Sequence, residues 1–140
     1  MPLPVAVSLI LPLYNLAISQ VNSNHAMLRG NNLNPKDAAL REIKSLRNDL
    51  IGLSHKIHST PEIGFEEYQA SQWISDMLTK AGFTVQTAIC SLPTAFSARF
   101  GNGPLHIAIC AEYDSLPGIG HACGHNIIAA AAVGAGTVSY

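Results

Sequence analysis

The 140-residue chain sets 8 Lys and Arg against 9 Asp and Glu, a formal net charge of -1, so it has no basic field to hold a phosphate backbone. Charged residues are 12% and hydrophobic ones 48%, against about 25% charge in ordinary soluble domains, a balance that excludes intrinsic disorder and a solvating tail. With so little polar surface, part of what is apolar here expects a partner or more chain.

Residues 1–34 read as an apolar leader and linker, and residues 35–140 as the domain proper. The run from Val5 to Ile18 is broken by Pro12 and Asn15 and falls short of the roughly 20 residues that span a bilayer. No Lys or Arg precedes Arg29, so the charged start of a signal peptide is missing and a cytoplasmic location is expected over export. Asn34 can cap a helix with Pro35 at its first position, and Leu40, Ile43, Leu46, Leu50, Leu53 and Ile57 follow at spacings of three and four. That pattern predicts an amphipathic helix ending before Pro61. A second helix is predicted from about Glu66, with Tyr68, Trp73, Ile74, Met77 and Leu78 on one side and Gly82 as its left-handed stop.

Phe83, Val85, Thr87 and Ile89 then alternate with smaller or polar residues, as do Phe96, Ala98 and Phe100, predicting two neighbouring antiparallel strands. After the turn Gly101-Asn102-Gly103-Pro104, the run Leu105 to Ala111 is apolar apart from His106 and reads as a strand covered on both faces. A loop with Pro117, Gly118, Gly120 and Gly124 leads to an Ala-rich helix from Ile127 to Val138. The order of elements predicts a layered α/β fold with its chemistry just past a central strand.

Glu112, Asp114, His121, Cys123 and His125 fall within fourteen residues at that place. Thiolate and neutral imidazole suit zinc and similar ions, and carboxylates complete or orient such a set. Only Gly124 separates Cys123 from His125, and its freedom lets both side chains aim at one ion; a core cysteine beside a helix-capping histidine is the blander reading of that pair. His121 stands four residues before His125, yet Gly120 and Gly124 place it ahead of the helix, as a loop residue or one that orients a ligand. Asp114 is either a ligand, an orienting group or a turn residue, and Glu112 an orienting group or a strand-end charge. His55 and His58 sit where a helix dipole favours them, His25 falls in the linker, and Cys90 and Cys110 are expected to pack as small apolar residues. The odd cysteine count argues against a disulfide framework.

The stretch Ala111-Glu112-Tyr113-Asp114-Ser115-Leu116-Pro117-Gly118-Ile119-Gly120-His121-Ala122-Cys123-Gly124-His125-Asn126 resembles the metal-binding signature of the amidohydrolase branch of the aminoacylase and carboxypeptidase-G metallopeptidase family, closest to its p-aminobenzoyl-glutamate hydrolase B-subunit-like members. His58-Ser59-Thr60-Pro61-Glu62-Ile63-Gly64-Phe65-Glu66-Glu67 resembles the same branch's segment between its first two helices. The resemblance implies the N-terminal part of a layered α/β catalytic domain with a mixed sheet, without the family's lid or dimerisation domain. It implies a two-metal hydrolase, with zinc or manganese, cleaving the amide of N-acyl amino acids, dipeptides or p-aminobenzoyl-glutamate conjugates. By position, Cys123 and His125 become metal ligands and Asp114 the catalytic-site aspartate. Glu112 takes the place of a ligand histidine, and Asn126 stands where many members carry Asp. The family's general-base glutamate lies in a Glu pair beyond the matched segment; Glu66-Glu67 belongs to the earlier motif and is not that base. The resemblance further implies a small-molecule amide substrate, homo-oligomeric full-length relatives, no nucleic acid and no membrane, with this chain inactive by itself because its metal shell is incomplete.

Two other classes stay open on the residues alone. Cys123 could serve as a nucleophile with His121 or His125 as its base, or the chain could be a non-catalytic metal-binding or interaction module that docks its apolar last helix on a partner.

Overall fold

The computed structural model describes residues 7–13 and 34–138. Helix α1, Pro35–Ser59, starts as the sequence predicts: Asn34 is extended and its side chain accepts the Lys36 N–H at 2.7 Å, satisfying one of the amides a helix start leaves open. Helix α2 spans Tyr68–Lys80 and ends ahead of Gly82, whose φ of 90° supplies the left-handed stop. Strand β2, Thr84–Thr87, is cut short by a 3-10 turn at Ile89–Ser91, so Ile89 leaves the strand predicted for it. Strand β3, Phe96–Arg99, pairs antiparallel with β2 as expected. Strand β4, Leu105–Ala111, precedes the loop and helix α3, His125–Thr137, which begins two residues earlier than its apolar run.

The sheet is mixed, in the order β2-β3-β1-β4. Its strand β1, Val7–Leu13, comes from the segment read as a leader: it runs parallel to β3 and antiparallel to β4. Within residues 1–34, then, at least this stretch joins the sheet instead of standing apart from it. Nothing local announces such a strand, because its pairing partners lie some ninety residues away in the chain. The remaining residues of the predicted leader and linker, including His25, lie outside the described residues. Among the described residues, no helix is long and apolar enough to cross a membrane.

Leu53 and Ile57 of α1, Ile74 and Leu78 of α2, Phe83, Phe96, Ala98 and Tyr113, and Ala129, Ala132 and Val133 of α3 form one buried cluster. Two expectations fail at its margin. Among the described residues, strand β4 is not covered on both faces: His106, Ala108 and Cys110 are exposed on one side, while Ile109 and Ala111 turn towards the core on the other. Cys90 and Cys110 are exposed and do not pack as small apolar residues. A continuous apolar run records what a strand can bury, not what the described residues lay over it.

Helices α1 and α3 approach closely at Gly134, where an added Cβ would lie 2.9 Å from Leu50 Cδ1 and 3.2 Å from Ile43 Cδ1. Helix α2 is capped from outside. Its N-cap residue Glu67 makes no cap bond, and the Glu62 carboxylate accepts the Gln69 N–H at 3.0 Å and the Ala70 N–H at 2.9 Å, a negative group at the positive end of the helix.

Gly134→Val is expected to overpack the α1–α3 contact and lower stability by about 1–3 kcal/mol, read as a lower urea midpoint. Glu62→Ala should cost about 1–2 kcal/mol, with the loss of hydrogen-exchange protection concentrated at the Gln69 and Ala70 amides.

Candidate active site

Beyond Ala111 the chain leaves β4 and enters a short stretch held from two sides. On one side, the Ser115 N–H donates to the Glu62 carbonyl at 2.7 Å, and Ile63 bridges to Ser115 in parallel fashion. On the other, the Tyr113 hydroxyl donates to the Thr94 carbonyl, and its ring stacks on Phe96 with centroids 5.9 Å apart. Burial pushes the Tyr113 hydroxyl far above its ordinary pKa, so it stays protonated and donates.

Between these anchors stands Asp114. Its Oδ1 lies 2.8 Å from His125 Nδ1, which also faces the Asp114 carbonyl at 3.1 Å. With two oxygen acceptors before it, Nδ1 carries the ring hydrogen of the neutral imidazole, and the lone pair is left on Nε2. The two side chains keep 19% and 18% of their surface, enough for a ligand to reach them. Gly64 passes against the other Asp114 oxygen; a Cβ there would lie 3.8 Å from Oδ2.

The start of α3 brings His125 to Asp114. Gly124 turns the chain at a φ of 79°, a left-handed conformation that suits glycine, and its carbonyl accepts the Ile127 and Ile128 N–H groups. Asn126 is buried and donates from Nδ2 to Ser54 Oγ of α1 at 2.9 Å, so the residue that stands in place of a family carboxylate serves helix packing here. His121 retains 8% of its surface, lies 6.1 Å ring to ring from His58, and neither of its nitrogens makes a well-formed hydrogen bond among the described residues. Burial first, and His58 second, outweigh the opposing pull of the Ile57 backbone and hold its pKa below the usual value, which favours the neutral ring. Cys123 is exposed and Glu112 half-buried.

Of the five predicted residues, the structure thus joins two, Asp114 and His125. Among the described residues, no group of three His, Cys, Asp or Glu side chains is placed to hold a metal ion. The chemistry of the available donors nevertheless fits one: His125 offers Nε2, fixed by a carboxylate on its other nitrogen in the manner of metal-bound histidines, and the Cys123 thiol is open. They amount to two donors, where a protein zinc site uses three or four.

A second set was not singled out by the sequence. Glu67 has no exposed surface; its Oε1 accepts the Phe65 N–H at 2.9 Å and its Oε2 accepts the Thr94 hydroxyl at 2.6 Å. Phe65 has a φ of 72°, costly for a non-glycine residue at about 1–3 kcal/mol. The one sequence signal that touched this set was the His58–Glu67 motif itself, which marks the segment and not its contacts.

No protein-family model matches the chain. It is 34% identical over 110 residues to the p-aminobenzoyl-glutamate hydrolase B-subunit of Escherichia coli, a match covering 66% of this chain and 23% of that protein. It is 41% identical over 91 residues to Xaa-Arg dipeptidase of Homo sapiens, covering 55% and 21%, and 32% identical over 108 residues to N-acetyl-L-cysteine deacetylase of Bacillus subtilis, covering 66% and 26%. The chain spans about a quarter of the length of these curated relatives. Over the stretch it shares with them, and as a partial match, it belongs to the amidohydrolase branch of the aminoacylase and carboxypeptidase-G family.

Proposed function

We propose that this chain carries part of the centre of a metal-dependent amide hydrolase. The observation that supports this best is the 2.8 Å contact between Asp114 and His125 Nδ1, which leaves Nε2 free two residues from an exposed thiol. His125 and Cys123 would hold a divalent ion, zinc or manganese, as part of a two-metal centre whose other ligands are not in this set. Such an ion supplies Lewis acidity for the amide carbonyl.

The chain's own contribution is orientation. Asp114 fixes the tautomer and rotation of His125, while Cys123 stands open to solvent. In this reading Asp114 does its work through the imidazole, and Glu112 and His121 stand outside the donor pair. The substrate is a small amide: an N-acyl amino acid, a dipeptide or a p-aminobenzoyl-glutamate-type conjugate. With two donors, the 140-residue chain by itself holds metal weakly and turns over no substrate.

Titration of the chain with Co²⁺ should produce the absorption of a thiolate-bound ion. Cys123→Ser should abolish that band, His125→Ala should remove most of the binding, and Asp114→Ala should weaken it by about 10- to 100-fold. Co²⁺ binding that none of the three substitutions changes would overturn the assignment. Amide hydrolysis assayed on the same chain with added zinc or manganese is expected to be absent, and chelator-sensitive turnover would show that its donor set is more complete than two.

A further inference from the structure

We propose that the buried carboxylate of Glu67 is a positioning residue for the Asp114–His125 pair, acting through the two anchors that flank Asp114. Asp114 is one residue of an otherwise irregular strand end, and its direction depends on its neighbours. Tyr113 is tied to the Thr94 carbonyl and Ser115 to the Glu62 carbonyl. Those acceptors sit on separate segments, 61–67 and 92–96. Glu67 joins the segments: one oxygen takes the Phe65 N–H and the other the Thr94 hydroxyl.

The geometry is short and direct. Thr94 donates its hydroxyl to Glu67 and accepts the Tyr113 hydroxyl at its carbonyl, so a single residue passes the constraint from the carboxylate to the residue before Asp114. On the other side, Gly64 borders both carboxylates: a Cβ built there would be 3.9 Å from Glu67 Oε1 and 3.8 Å from Asp114 Oδ2. Phe65 adopts its left-handed φ of 72° while its N–H points to Glu67. At a position with no exposed surface, a hydrocarbon side chain would pack without desolvating a charge. What a carboxylate adds in such surroundings is direction, because each oxygen accepts from a defined donor and leaves that donor orphaned when it is removed.

The consequence for a bound ion rests on the function proposed above; the consequence for the imidazole does not. The test therefore reads His125 in the metal-free chain. Nitrogen-15 NMR of the labelled protein at about pH 8, where an ordinary imidazole is neutral, should show His125 as one tautomer with its hydrogen on Nδ1, the resonances being assigned by their loss in His125→Gln. In Glu67→Gln, which keeps one acceptor where two are used, the two ring nitrogens should shift towards the averaged positions of a free imidazole. Thr94→Val, which removes the linking hydroxyl and keeps the shape, should produce the same shift and decides the matter where Glu67→Gln does not fold. Leu78→Ala, a fully buried core truncation outside these bonds, supplies the purely structural comparison and should leave the His125 pattern as in the parent chain. An unchanged pattern in Glu67→Gln and Thr94→Val, or an equal shift in Leu78→Ala, overturns the proposal. Failure of Co²⁺ to bind would overturn the metal assignment and leave this result standing.

Discussion

A carboxylate with no access to water, Glu67, ties the turn before α2 to the loop before β3 through one amide and one hydroxyl. Removing a charge from water is costly unless its oxygens are met by well-placed donors, and here both are. The same two segments then grip the end of β4, one by the Glu62 carbonyl and the other by the Thr94 carbonyl. Helix α2 depends on this arrangement as well, since the turn that carries Glu67 also carries the Glu62 carboxylate that caps it.

The low charge of the chain takes on meaning in this light. Of its 9 acidic residues, Glu62, Glu67 and Asp114 each have a carboxylate engaged by a backbone amide, a hydroxyl or an imidazole within one small region. These three carboxylates each direct structure there. Elsewhere the surface exposes large apolar residues, Ile63, Tyr68, Ile119 and Ile127 among them, and one face of β4 lies open.

Local signals were the most legible. The Asn34 cap, Pro35 at the first helical position and the left-handed Gly82 act within a turn or two of chain, so their residue types carry the geometry. The alternation of β3 and its antiparallel neighbour β2 were legible for the same reason. At the site, the cluster from Glu112 to His125 could be marked, but not sorted. Spacing put Cys123 and His125 ahead of Asp114; only the folded chain turns Asp114 onto Nδ1 and sends Asn126 to Ser54. The strand β1 and the open face of β4 escaped because both depend on which distant segment lies alongside.

The sequence by itself determined where helix α1 starts and where α2 stops, which residues are apolar enough to make a core, and which short stretch holds the imidazole, thiol and carboxylate chemistry. Each of these follows from interactions that reach no further than neighbouring turns. The tertiary structure decided which of those groups meet. A hydrogen bond such as Thr94 to Glu67 or Asn126 to Ser54 joins residues 27 and 72 positions apart, and its formation depends on the packing of whole elements. No residue type or spacing encodes that locally, because the free energy that sets it belongs to the assembled core.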